Sequence, residues 1–314
     1  MRDESSALRT SVATILLATF VLGSCRAEVP RRTSALDDRA ITVGSFNFPE
    51  SVILGEIYAQ ALEGGGFAVE RQFGIGAREL VEPSLERGLV EFVPEYSGSA
   101  LEFLTGGAGQ ASPDEGVTHE RLTAAFAERG VAVLAPAPAQ NRNGFAVTRA
   151  TAERYGLETI SDLGPVAADL AFGGSHECPQ RPLCLAGLEE TYGLDFGRFT
   201  PLDAAGPITV SALRAGTVDV ALLFTTDGAI AENDFVLLVD DRGLQPAENV
   251  TPVVRAEVIE SYGAGFVVLV DSVSEQLTTA DLRELNARVS VSGELPSEVA
   301  AAWLAEHGFA GPSD

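Results

Sequence analysis

Apolar positions along this chain change period several times. Ile41–Val43 is a short β-rich run that Gly44 and Ser45 break. Val52, Ile53, Ile57, Tyr58, Ala61 and Leu62 then recur at helical spacing until Gly64, Gly65 and Gly66 stop the helix. Pro49 stands near its first turn, Asn47 is placed to cap it, and Glu50 lies close to the positive end of its dipole. The stretch "FAVERQFGI" predicts a second strand and Glu79–Arg87 a second helix, an alternation that predicts a parallel sheet with crossover helices. Further along, residues 112–133 predict a helix and a strand, "GFAVTRATAERYGLETISDL" a strand and a helix, and "DLAFGGSHE" a strand with a glycine turn. After the apolar run "GFVVLV", helices are predicted over Thr279–Val289 and around Trp303.

One phrase occurs twice. "SLERGLVEFVPEYSGSA" (Ser84–Ala100) returns as "ALRAGTVDVALLFTTDG" (Ala212–Gly228) at an offset of 128 positions. Gly88 meets Gly216, Glu91 meets Asp219, Tyr96 meets Phe224 and Ser97 meets Thr225. The proline- and amide-rich "APAPAQNRNG" interrupts the pattern between the copies. Two α/β lobes are therefore expected, one from residues 41–140 with 251–314 and one from 141–250, the chain crossing near Asn141 and near Glu248–Thr251. Two crossings make a hinge. Ligands in open α/β sheets bind beyond the carboxyl ends of the strands, where Gly44, Tyr96, Gly173 and Phe224 are expected. The repeat thus predicts one aromatic from each lobe across a shared cleft; ordinary strand–helix similarity is the alternative.

Composition narrows the chemistry. The 314 residues are 46% hydrophobic and 21% charged, with a net charge of −24. All 21 basic residues are Arg. Such acidity disfavours nucleic acid as a partner, and the lack of Lys excludes Schiff-base chemistry and a phosphate-loop lysine. The histidines, 119, 176 and 307, are scattered, and no Gly-x-Ser-x-Gly, phosphate-loop or His-Glu-x-x-His motif occurs. Neither an enzyme nor a cofactor is expected; the nearest catalytic arrangement is Ser99 or Ser175 with His176, and adjacent residues rarely present such a pair.

Near the start, "SVATILLATFVLGSC" is too short to span a bilayer core, which takes roughly 20 residues, and has the length of a signal-peptide core. Leu22-Gly23-Ser24-Cys25 resembles a lipobox, so residues 1–24 are expected to be removed and Cys25 lipidated. Residues 25–40 then read as a flexible tether from membrane to folded body. Cys178 and Cys184 remain as an even pair in an exported chain, predicting a disulfide; a metal pair completed by His176 and Glu177 is the alternative.

The blocks "ITVGSFNFPESVILGEIYAQALE", "PEYSGSALEFL", "LRAGTVDVALLFTTD" and "LVDDRGLQPAENVTPVV" together resemble the substrate-binding proteins of ABC importers for glycine betaine, choline and carnitine, from Ile41 to the C-terminus. The resemblance implies a type II periplasmic-binding-protein fold, closure about the hinge, and a monomer that delivers its solute to an ABC permease and ATPase. It also implies a cage of aromatic faces for a quaternary ammonium, which has no hydrogen to donate; each face is worth ~0.5–2 kcal/mol.

By residue, Tyr96 stands at the family's first-lobe tyrosine and Ser99 at the threonine that follows it. Phe224 with Thr225 stands at the second-lobe aromatic, while Asn143 and Glu248 occupy crossover positions that are tyrosine in the family. Phe46, Asn47 and Asn141 complete the expected ligand-binding set, with Phe46 or Phe48 as the replacement for a missing cage aromatic. Plainer readings stand beside each: Tyr96 and Phe224 as core, Asn47 as a helix cap, Asn141 and Asn143 as turn formers. Arg78 reaches either a ligand carboxylate or solvent. The incomplete cage leaves a polyol or sugar derivative open as the solute, and a ligand sensor open as the role.

Overall fold

The computed structural model describes residues 40–309, which belong to the compact unit Thr33–Asp314. The apolar N-terminal run, Cys25 and all but the last residue of the expected tether lie outside the described residues.

In chain order the strands are β1 (Ile41–Gly44), β2 (Val69–Gln72), β3 (Phe92–Tyr96), β4 (Val131–Val133), β5 (Asn143–Thr148), β6 (Ala171–Ser175), β7 (Arg198–Leu202), β8 (Val220–Phe224), β9 (Phe235–Leu237) and β10 (Val250–Arg255). They form two five-stranded sheets, ordered β2-β1-β3-β10-β4 and β7-β6-β8-β5-β9. The orders are the same once β1 is matched with β6, β3 with β8 and β10 with β5. Each sheet is mixed rather than wholly parallel: β1, β2 and β3 run parallel, as do β6, β7 and β8, while β10 and β5 run antiparallel to β3 and β8. The crossovers explain this departure. Each delivers the chain at the carboxyl ends of the parallel strands, so the strand that follows has to run back the other way.

The repeated phrase now has a physical meaning. At the offset of 128 positions β3 lies on β8 residue for residue, and Gly88 (φ 69°) meets Gly216 (φ 67°), both left-handed and so suited to glycine. Glu91 donates its N–H to the Thr42 carbonyl (2.9 Å) and takes the Thr42 N–H on its carboxylate (2.9 Å). Asp219 does the same with Ala171, at 2.8 and 2.9 Å. The repeated grammar of helix, glycine and acid is therefore a device for docking a strand beside its parallel neighbour. It leaves the aromatic at the far end of that strand free for another task.

Three helices position the first lobe's share of the site: α1 (Pro49–Gly64), α2 (Arg78–Glu86) and α3 (Ser97–Leu104). α1 packs against the C-terminal helices Ala264–Gln276, Thr279–Ser290 and Pro296–Glu306 as well as the sheet, which is why Ile53, Leu54, Ile57 and Tyr58 are all fully buried. Tyr58 shares a 2.9 Å hydrogen bond with Ser274 across that contact.

Candidate functional site

β3 ends at Tyr96 and β8 at Phe224, and the two crossovers meet beside them through an antiparallel bridge between Gln140 and Asn249. Tyr96 pairs with Val250 and Phe224 with Asn143, so each crossover strand is hydrogen-bonded to the strand carrying an aromatic. A cavity of ≈350 Å³ opens there, lined from both sheets. Phe48, the residue before Pro49, is held extended (φ −129°, ψ 155°), the conformation a following proline favours, and its ring enters the cavity wall. Its centroid lies 5.9 Å from Tyr96 and 5.0 Å from Phe224. It bridges the two predicted aromatics into one apolar wall. Phe46 stacks on Phe48 at 5.8 Å and carries the Arg78 guanidinium 5.0 Å from its centroid, so its ring is already engaged.

Charge enters through Arg78. Its Nε and Nη2 donate to the two oxygens of Glu95 at 2.8 and 2.7 Å, leaving Nη1 without a hydrogen-bond partner among the described residues, on a side chain that lines the cavity. Burial pushes the fully buried Glu95 carboxyl up, but the charge and hydrogen bonds of Arg78 outweigh it and hold the group below the usual carboxylate range. The neighbouring Glu82 goes the other way: burial, then the charge and hydrogen bonding of Glu95, push its pKa well up.

The opposite wall is the loop closed by the Cys178–Cys184 disulfide, with Cα atoms 5.3 Å apart. That bond removes the metal alternative for the cysteine pair. Arg181 on this loop reaches Glu79 of α2 (2.7 and 2.8 Å), an ion pair from one sheet's lobe to the other, and burial together with the Arg78 charge lowers its pKa. The loop is fixed from behind, since Asn143 and Gln245 both donate to the Leu183 carbonyl at 2.9 Å.

Of the expected site residues, Phe46, Asn47, Tyr96, Ser99, Asn141, Asn143 and Phe224 line the cavity. Asn47 does not cap α1: its side chain is exposed, Phe48 holds the cap position, and Ser51 accepts the Phe46 N–H at 2.9 Å. Thr225 and Glu248 are absent from the cavity wall. Thr225 instead accepts the Arg142 N–H at 3.0 Å, tying β8 to the crossover. Glu248, only 2% exposed, accepts the N–H groups of Gly98 and Ser99 (3.1 Å each) and the Ser99 hydroxyl (2.5 Å). The chain thus fills the anion position at the start of α3 with its own carboxylate. Burial pushes the pKa of that group up to about 7 despite these bonds.

Of the two phenylalanines expected to replace missing cage aromatics, Phe48 is the one that joins Tyr96 to Phe224. The cysteine loop as a wall escaped the sequence reading, since nothing local announced that it faces the cleft. A second cavity, ≈450 Å³, shares Phe48 and Phe224 as its wall and is bordered by Glu50, Thr226, Asp227 and Asn286.

With this geometry in hand, the chain matches, over residues 39–306, the family model described as the substrate binding domain of ABC-type glycine betaine transport system. The glycine-betaine-binding protein of Pseudomonas aeruginosa is 31% identical over 276 residues, covering 85% of this chain and 88% of that protein. The glycine betaine-binding protein YehZ of Escherichia coli K12 is 28% identical, covering 86% of this chain and 91% of its own. The crystal structure of a glycine betaine/carnitine/choline ABC transporter protein superposes with a TM-score of 0.69 at 24% identity, covering 86% of this chain and 99% of that one. The fold is that of the periplasmic binding proteins.

Proposed function

The chain belongs to the substrate-binding domains of ABC-type glycine betaine transport systems, and on that premise we propose that its cavity captures a zwitterionic quaternary ammonium, of the glycine betaine or carnitine kind, for delivery to a permease and its ATPase. Two chemistries meeting in one cavity carry this reading: an apolar wall of Phe48, Tyr96 and Phe224, and an Arg78 with one nitrogen to spare. A trimethylammonium loses no hydrogen bonds when it leaves water, and the ring quadrupoles attract it by ~0.5–2 kcal/mol per desolvated face. Its carboxylate meets the guanidinium and the amide hydrogens that Asn141 and Asn143 do not spend on Glu50 and the Leu183 carbonyl. Choline supplies the cation without the anion.

Capture rather than catalysis is the role. His176 is exposed and absent from the cavity wall, which gives no support to its pairing with Ser99 or Ser175 as a nucleophile. Proteins of this family work outside the cytoplasm, and no helix among the described residues is long and apolar enough to cross a membrane. The lipobox-like Leu22–Cys25 supports a lipid anchor at Cys25, with residues 1–24 removed. Mass spectrometry of the membrane fraction tests this; an unmodified Cys25 on a mature chain would reject the anchor.

Isothermal titration with glycine betaine, carnitine and choline tests the solute. One-site binding is expected for at least one of the two zwitterions, with choline at least tenfold weaker. Choline binding as tightly as the best zwitterion would remove the anionic half of the proposal, and silence from all three would remove it entirely.

A further inference from the structure

One buried carboxylate at the root of the cavity serves both lobes. Glu50, in the first turn of α1, is 3% exposed. Its Oε1 accepts from the Tyr96 hydroxyl and from Asn141 Nδ2, both at 2.7 Å. Its Oε2 accepts from the Thr226 hydroxyl and from Asn286 Nδ2, the latter at 2.5 Å. Asn286 also donates to the Thr226 carbonyl at 3.0 Å. Tyr96 and Asn141 line the solute cavity; Thr226 follows β8 in the other lobe, and Asn286 lies on the helix Thr279–Ser290 that packs against α1.

We propose that Glu50 is a positioning residue that makes the solute-ready arrangement of Tyr96 and Asn141 conditional on the docking of Thr226, so that affinity and lobe closure share one carboxylate. This rests on the reading of the ≈350 Å³ cavity as the solute site. A carboxylate withdrawn from water is tolerated only while its lone pairs are filled. Separating the lobes takes Thr226 away and opens Oε2 to the neighbouring cavity, where water competes for the remaining donors. Returning Thr226 completes the set of four donors and holds the phenol and the amide in place.

Substitution by glutamine keeps the volume but not the pattern. Its NH₂ group has to face one of two asparagine amides. Opposite Asn286 it confronts a nitrogen that also holds the Thr226 carbonyl, and opposite Asn141 it demands a flip that changes which atom the cavity meets.

The test compares wild type, Thr226→Val, Thr226→Ser and Glu50→Gln, with glycine betaine as the probe. Titration and stopped-flow dissociation measure binding, thermal melting measures stability, and small-angle scattering with and without the probe measures closure. Thr226→Val and Glu50→Gln are expected to weaken binding at least tenfold, chiefly through faster dissociation, and to enlarge the radius of gyration; Thr226→Ser should restore wild-type behaviour. Lower melting temperatures with unchanged affinity and radius would reduce Glu50 to a structural group and overturn the proposal. Should wild type bind none of the three osmolytes, the solute reading fails separately. The scattering of the unliganded proteins then decides: expansion in both variants supports the latch, and identical radii overturn it.

Discussion

Glu248→Gln separates a structural carboxylate from a ligand-binding one. In the native protein Glu248 Oε2 receives two backbone N–H groups and Oε1 receives the Ser99 hydroxyl. A glutamine keeps all three contacts, its oxygen facing the backbone and its NH₂ donating to Ser99, whose hydroxyl turns to accept. Only the ionisation is lost. The folded-state pKa of about 7 exceeds the ordinary 4.5, so between those values the native chain holds a proton that the unfolded chain has released.

Stability therefore falls as pH rises through that window, and the contribution is complete below about 4.5 and gone above about 7. Each pH unit is worth about 1.4 kcal/mol, so the window amounts to about 3 kcal/mol. Urea unfolding of both proteins from pH 4.5 to 8 measures it. The two should coincide near pH 4.5, and wild type should become the less stable by up to about 3 kcal/mol at pH 8. Because the difference is taken between two proteins, other raised acids such as Asp227 cancel. Solute affinity should change by less than about threefold, as expected of a group outside the cavity wall. A wild type that gains on the variant with rising pH would refute the assignment, as would a large loss of affinity.

Phe48→Ala removes the ring that joins Tyr96 to Phe224, and titration should show affinity for glycine betaine falling roughly tenfold or more, given one lost face and the loosening of its neighbours. Arg78→Met strands the fully buried Glu95, so urea midpoints should report a loss of about 3–5 kcal/mol, largely recovered when Glu95→Gln is added. Replacing Cys178 and Cys184 with serine should cost about 2 kcal/mol in the chain-entropy picture. It should also weaken solute binding, because Arg181 and the Leu183 carbonyl ride on that loop. Unchanged affinity in the reduced-loop variant would return the loop to a purely structural role.

Much of the architecture was legible because period and punctuation are local. The glycine stop after α1, the repeat that became β3 and β8, and the proline-bounded cysteine loop all announce themselves within a dozen residues. The direction of β5 and β10 was not, since it depends on where a crossover delivers the chain. The site divided along the same line. Tyr96 and Phe224 were visible as matched strand ends, yet whether Glu248 meets solute or caps α3 depends on a contact 150 residues away. Glu50 read as an ordinary first-turn acid, because its partners Tyr96, Asn141, Thr226 and Asn286 are scattered over the chain. Buried polar networks of this kind carry no sequence period.

The most direct measurement is a crystal structure of the protein grown with glycine betaine. The account predicts the trimethylammonium within about 6 Å of the Phe48, Tyr96 and Phe224 ring centroids, the carboxylate within hydrogen-bonding distance of Arg78, and Thr226 docked on Glu50. Betaine lodged in the neighbouring cavity beside Asp227, or bound with its methyl groups turned away from those rings, would contradict it.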